Sequence, residues 1–180
     1  QKDVCQPFFP SFLPLPFWCS LDSAEESLYS REKSVYNRSR NLERGDPMTN
    51  MEAILVRVSN RKYLDRSLTE DEISQLHKMI AVANQASGLR MQLITDHPEV
   101  FSSLRTSYGM FSGVRNMIAL VGPGDLPNLK ERCGYYGQKV LLGATTLGLG
   151  TCWVCGTYDR SKVPCQMQKG DVLCGVIVVG

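Results

Sequence analysis

Hydrophobic residues recur at regular spacings from Met48 onward, and before it they do not. Thr49-Asn50-Met51-Glu52 has the form of a capping box, and Ile54, Leu55 and Val58 follow on one helical face, which predicts a short helix ending near Val58. Ser67 to Glu72 supplies a second cap, with Thr69 and Glu72 in box spacing and acids at the positive end of the helix. Ile73, Leu76, Ile80 and Ala83 recur behind it at helical spacing. Leu89 to Thr95 reads as a strand. Asp96 then caps another helix, with Pro98 in its first turn and Val100, Phe101 and Leu104 facing inward.

Val114 to Val121 is nearly all apolar and runs into Gly122-Pro123-Gly124, as a buried strand entering a turn does. A long helix follows, its apolar face formed by Leu129, Cys133, Tyr136, Val140, Ala144 and Leu147, with Gly148 and Gly150 as terminators. Thr151 to Val154 is a short strand and Val172 to Val179 a fully buried one, so helices alternate with apolar strands and no internal repeat is present.

Residues 1–47 predict no folded element. Pro7, Pro10, Pro14 and Pro16 break up the apolar cluster from Pro7 to Cys19, and Ser20 to Asn41 is a polar run rich in Ser, Glu and Arg. A secretory signal would need a basic start and an initiating Met, and both are missing, so residues 1–47 read as a disordered or non-native leader and residues 48–180 as the folded domain. Glu43-Arg44-Gly45 can be encoded by purine-rich codons of ribosome-binding-site type just ahead of Met48, which fits that reading.

Composition narrows the picture. With 180 residues, 43% of them hydrophobic, the chain has enough material for one domain with a substantial core. Twenty basic and 18 acidic residues leave a net charge of +2, too weak a field to argue for nucleic acid or an anionic membrane as partner. No run reaches the roughly 18 apolar residues of a membrane helix. Seven cysteines, an odd number, five of them in apolar Gly-rich stretches, point to free thiols and a reducing, cytoplasmic setting.

Cys152-Trp153-Val154-Cys155 is a C-x-x-C, which could serve thiol-disulfide chemistry or half of a zinc site. Redox pairs need a helix N-terminus to lower the thiol pKa, whereas this one enters a strand, where residues three apart face opposite ways. His77 and His97 show no ligand spacing. Neither Gly148-x-Gly150 nor Gly122-Pro123-Gly124 completes a dinucleotide fingerprint, and Tyr135 and Tyr136 read as helix-packing residues.

Arg57-Val58-Ser59-Asn60-Arg61-Lys62-Tyr63, ahead of a Leu-Thr-Glu helix start, has the form Arg-x-Ser-x-Arg-x-aromatic. Leu147 to Gly156 carries a Gly-Leu turn and a Trp-containing strand, and Ser87 to Leu93, Phe111 to Asn116 and Cys133 to Gly137 lie between. In this order the five motifs resemble the nitroreductase family, specifically the branch first known from thermophile genomes, over essentially all of Met48 to Gly180.

The resemblance implies an α+β fold, a mostly antiparallel sheet flanked by helices, with FMN at the interface of a homodimer or pseudo-dimer. It implies that Arg57, Ser59 and Arg61 hold the FMN phosphate and ribityl chain, a task suited to guanidinium groups, which bind phosphate bidentately. If the first helix continues, Arg57 and Arg61 lie on one of its faces. Trp153, Val154, Cys155 and Gly156 would run along the isoalloxazine ring, with backbone N–H groups near N5, and Ser87 and Gln92 would add contacts. NAD(P)H would be the hydride donor and a nitroaromatic, quinone or similar small molecule the acceptor, with no side-chain general base required.

Two departures stand out. Arg90 occupies the place of an Asn in the Ser-x-x-Asn-x-Gln flavin contact of many relatives. The chain also stops on the strand after which relatives carry a loop with Lys and Arg and then further helices, so the domain reads as C-terminally incomplete, with FMN affinity expected to be weaker than micromolar. Alternatives are a non-catalytic FMN-binding relative, an inactive gene fragment, and a C-x-x-C redox protein.

Overall fold

A computed structural model describes residues 48–102 and 111–180. In chain order they form α1 (Asn50–Val56), α2 (Glu70–Ser87), β1 (Gln92–Ile94), β2 (Asn116–Pro123), α3 (Leu129–Thr146), β3 (Thr151–Val154) and β4 (Asp171–Val179), with 3-10 turns at Pro98–Val100 and Arg160–Lys162. The strands make one antiparallel sheet in the order β1-β2-β4-β3, and the fold is α+β. No described helix is long and apolar enough to cross a membrane.

Both expected capping boxes form. The Thr49 and Glu52 side chains close on each other's backbone N–H at the start of α1, and those of Thr69 and Glu72 do so at the start of α2. Alpha2 ends at Gly88, whose φ of 73° is the left-handed conformation that a residue without a Cβ adopts at no cost.

Alternation along the strands sorts the core into two layers. Ile118, Leu120, Ile177 and Val179 face the helices and pack with Leu76, Ile80, Ala83, Val140, Leu141 and Ala144. Met117, Ala119, Val121, Val154, Val176 and Val178 face the other way, onto Val100, Phe101, Val163 and Tyr158. Phe101 anchors this second layer, with its ring 5.1 Å from that of Phe111 and 6.1 Å from that of Tyr158. Each such fully buried aliphatic or aromatic side chain contributes about 1.5–3 kcal/mol.

Several sequence expectations need correction. Helix α1 stops at Val56, and its buried residue is Ala53; Ile54, Leu55 and Val58, expected on an inward face, are 52%, 59% and 64% exposed. The strand expected over Leu89 to Thr95 contracts to three residues, because Met91 pairs at N–H and C=O with the Asn84 side-chain amide, although the Arg90 N–H still donates to the Val121 carbonyl in register with the strand. Asp96 does not cap a helix. Its φ is 58° and its carboxylate accepts from Arg115 at 2.9 Å and Ser67 at 3.0 Å, so only a 3-10 turn follows, although Val100 and Phe101 do point inward. Leu104 lies outside the described residues. Val172 is 43% exposed, so β4 is buried only from Leu173 onward, with Cys174 half-buried.

Candidate functional site

At Arg57 the chain leaves α1 in an extended conformation, with φ −65° and ψ 129°, and runs beside the start of β3. Ser59 pairs with Thr151 in a parallel bridge, the Asn60 N–H donates to the Thr151 carbonyl at 3.0 Å, and Lys62 makes a second bridge with Ser112. The Tyr63 hydroxyl donates to the Asn60 carbonyl at 2.8 Å, which pins the turn between the two bridges. Arg57 and Arg61 therefore stand on an extended segment, and the convergence expected from a continuing helix does not apply.

This pairing brings the Arg-x-Ser-x-Arg segment and the Trp-containing strand to one edge of the sheet. Gly150 and Gly180 exchange backbone hydrogen bonds at 2.7 and 3.1 Å, and the antiparallel alternation then turns Cys152 and Val154 toward β4 and Thr151, Trp153 and Cys155 outward. The extended segment covers Thr151. Among the described residues no strand covers the outer edge beyond it, which leaves the backbone N–H groups of Trp153 and Cys155 open, while the Trp153 carbonyl accepts from the Cys152 thiol at 3.5 Å.

The side chains in this strand have structural duties as well. The Trp153 indole packs over Gly137 of α3 and its Nε1–H donates to the Gln138 side chain at 3.0 Å. Val154 belongs to the second core layer, while Cys155 is exposed. A Cβ at Gly156 would meet no heavy atom of the described residues within 4 Å, so they leave the space beside it unfilled.

Electrostatics set Arg57 and Arg61 apart from other arginines. Arg66 binds Glu72, Arg90 binds Asp171, and Arg115 binds Asp65 and Asp96. Neither Arg57, Ser59 nor Arg61 has a side-chain partner among the described residues, so two guanidinium groups and a hydroxyl remain available to an external anion.

A cavity of about 140 Å³ opens between the ends of α1 and α3 and the start of β3, lined by Arg57, Asn60, Thr145, Gly148, Gly150 and Thr151 among others. Thr151 is 1% exposed and its hydroxyl has no hydrogen-bond partner among the described residues. Motif reading passed over Thr151 and Asn60, although both lie inside the quoted motifs; an Asn beside the Arg-x-Ser-x-Arg hydroxyl and a Thr after the Gly-Leu-Gly turn were the available signals.

Ser87 and Gln92 lie elsewhere. They sit at the end of α2 and on β1, at the opposite edge of the sheet from β3. The Ser87 hydroxyl donates to the Ala83 carbonyl at 2.6 Å and accepts from Leu89 N–H at 3.1 Å, closing the helix end. The Gln92 amide accepts from Gln166 N–H at 2.7 Å and donates to its carbonyl at 2.6 Å. Arg90, the departure from the family pattern, reaches across to the buried Asp171 carboxylate.

The five described cysteines are all free thiols. Cys152 is buried in a strand and Cys155 exposed beyond its end, with neither at a helix N-terminus. Burial, reinforced by the neighbouring Cys174 thiol, pushes the Cys133 thiol up to about 12. Tyr136 fulfils the expected packing role, donating its hydroxyl to the Ala86 carbonyl and standing edge-on to Tyr135 at 5.0 Å.

Residues 49–180 match the family model described as "Putative TM nitroreductase". Solved structures with the same architecture include one described as "a putative nitroreductase in complex with fmn" from Desulfovibrio desulfuricans, with 19% identity, a TM-score of 0.58, and coverage of 74% of this chain and 86% of that one. An FMN-dependent nitroreductase from Clostridium difficile R20291 shares 16% identity at a TM-score of 0.56, covering 69% of this chain and 83% of that one. A nitroreductase family protein from Clostridium difficile 630 shares 19% identity at a TM-score of 0.55, covering 74% and 84%. At these identities the likeness establishes the fold. No curated protein matches the chain.

Proposed function

Because the chain belongs to the nitroreductase family, we propose that it is an FMN-dependent oxidoreductase with its cofactor seated along the outer edge of β3. Held there by Arg57, Ser59 and Arg61, FMN would supply hydride-transfer chemistry between NAD(P)H and a nitroaromatic, quinone or similar small molecule. The observation that carries the reading is the Ser59–Thr151 bridge, which sets two guanidinium groups, unpaired among the described residues, beside a strand edge with open backbone N–H groups.

Each part of this edge has a task. Arg57, Ser59 and Arg61 bind the phosphate and ribityl end through charge-assisted hydrogen bonds. Trp153, Cys155 and Gly156 would offer backbone N–H groups to the ring, while Val154 ties the strand to β4 behind them and the open space at Gly156 would let the ring approach. The Trp153 anchor on α3 holds this backbone in place. None of these residues transfers a proton, so the protein's contribution is position and electrostatics.

Ser87 and Gln92 cannot reach the same ring from the far edge of the same sheet, so a second chain would bring them, in keeping with a site shared across a homodimer or pseudo-dimer. Their hydroxyl and amide would then act through the backbone they hold. The reading is tested by titrating the protein with FMN while following flavin fluorescence, and by assaying NADH and NADPH oxidation with a quinone. Saturable FMN binding that Arg57→Ala with Arg61→Ala weakens supports it; flavin fluorescence that never saturates with the unaltered chain removes it.

A further inference from the structure

Two free thiols, Cys133 and Cys174, face each other on the helix side of the sheet, across the seam between α3 and β4. Cys133 stands on the inward face of α3 and is 3% exposed. Cys174 reaches the same layer through an irregularity in β4. Leu173 opposes Val121 and Gly175 opposes Leu120, so Cys174 is the extra residue of a bulge in the pairing of β2 with β4. Leu173 and Val176 accordingly share the second core layer, although strict alternation puts residues three apart on opposite faces. The inserted Cys174 packs against the helix-side core instead.

The two thiols differ in exposure. Cys174 is half-buried, whereas burial and the neighbouring thiol keep Cys133 protonated at neutral pH, so an oxidant meets Cys174 first. Other described thiols lie apart from Cys133. Cys152 and Cys165 belong to the second layer, on the far side of the sheet. Cys155 is the competitor: its Sγ lies 3.4 Å from where a Cβ on Gly175 would stand, beside the bulge, and it is exposed.

We propose that Cys133 and Cys174 are a reversible redox pair, which a hydroperoxide converts to a disulfide that clamps α3 to β4. With hydrogen peroxide, the Cys174 sulfur takes one oxygen to become a sulfenic acid, and one water leaves. The Cys133 sulfur then attacks the Cys174 sulfur; the S–S bond forms, the S–O bond breaks, and a second water carries away the oxygen and the Cys133 proton. The two thiols together give up two hydrogens and two electrons, all of which end in water. A dithiol reductant restores both thiols by exchange. The closed loop runs from α3 through β3 to β4, and closing it restricts the unfolded chain. None of this rests on the flavin reading.

The test treats the native 180-residue chain with hydrogen peroxide, blocks the remaining thiols with N-ethylmaleimide, and maps unreduced peptides by mass spectrometry. The expected result is a peptide pair joined through Cys133 and Cys174, lost on adding dithiothreitol and absent from Cys174→Ser and Cys133→Ala. The oxidised parent should also melt roughly 5 °C or more above the reduced parent, a difference missing from Cys174→Ser. The peptide map of the unaltered chain decides the pairing even where a variant folds poorly.

Peptides joined through Cys155 and Cys174, or through Cys152 and Cys155, in place of the expected pair overturn the proposal. So does a Cys174 that runs on to the sulfinic acid while Cys133 stays free, since the two sulfurs then never close to bonding distance. The expected pair without a rise in Tm overturns the clamp.

Discussion

Trp153 occupies the gap left by the missing side chain of Gly137: a Cβ on that glycine would stand 2.7 Å from the indole Cη2 and 3.2 Å from Leu120 Cδ2. The ring can sit there only because α3 presents no side chain at that turn. Gly137→Ala should therefore displace the indole, break its hydrogen bond to Gln138, and cost about 1–3 kcal/mol, against a small gain in helix propensity. Urea unfolding measures the loss and tryptophan emission reports the displaced ring. A variant as stable as the parent with unshifted emission would show that the layer yields easily.

Arg57 and Arg61 carry no structural ion pair among the described residues, so their removal separates binding from stability. Arg61→Ala should leave unfolding free energy within about 0.5 kcal/mol of the parent, while weakening FMN binding by roughly tenfold or more. Flavin fluorescence and thermal unfolding on the same preparation check both halves. Equal FMN affinity in parent and variant would place the phosphate elsewhere.

At the start of α2, Thr69 and Glu72 cap each other while Arg66 binds Glu72 through two contacts of 3.1 and 3.2 Å. Thr69→Ala should cost about 1 kcal/mol in a denaturant titration. The Arg66 hydrogen bond holds the Glu72 carboxyl below the usual carboxylate range in the folded state. A depressed folded pKa means a contribution fully present above the unfolded value of about 4.3, and lost as pH falls through the folded one. Glu72→Gln should accordingly flatten the acid limb of a Tm-against-pH profile and leave its neutral region nearly parallel to the parent.

Thiol reactivity should sort the described cysteines by burial. Cys155 is exposed, whereas Cys133 is buried with its thiol pushed up to about 12, which leaves almost no thiolate at neutral pH. Iodoacetamide at pH 7.5 should label Cys155 promptly and spare Cys133 and Cys152 until denaturant is added, as read by peptide mass spectrometry. The raised folded pKa works in the alkaline direction: the Cys133 contribution is intact below its unfolded value, about 8.5, and is lost as pH climbs toward 12. Early labelling of Cys133 in the native protein would mean that α3 opens away from the sheet on that timescale.

Local signals were the legible ones. Both capping boxes, the Gly148 stop just past α3, the bounds of β3 and the inward faces of α2 and α3 follow from near neighbours along the chain, and all of them form. Long-range partners were not legible. Ile54 and Leu55 look like a core face by spacing alone, yet the seven-residue helix turns only Ala53 inward, since its orientation is set by what it meets in space. Ser87 and Gln92 carried the motif but satisfy the Ala83, Leu89 and Gln166 backbones, and the partner of Gln92 lies 74 positions along the chain. Long range hid Thr151 as well: its place beside Ser59 and Asn60 comes from a pairing about 90 positions apart, not from its sequence neighbours.

The strand nearest the end of the described chain, β4, lies inside the sheet, between β2 and β3. Until residues 171–179 have been synthesised and threaded into that gap, β3 has no neighbour to lean on and the guanidinium-bearing segment has no edge to join. Assembly of the binding edge therefore waits on β4 in this topology, since β3 reaches the rest of the sheet only through it.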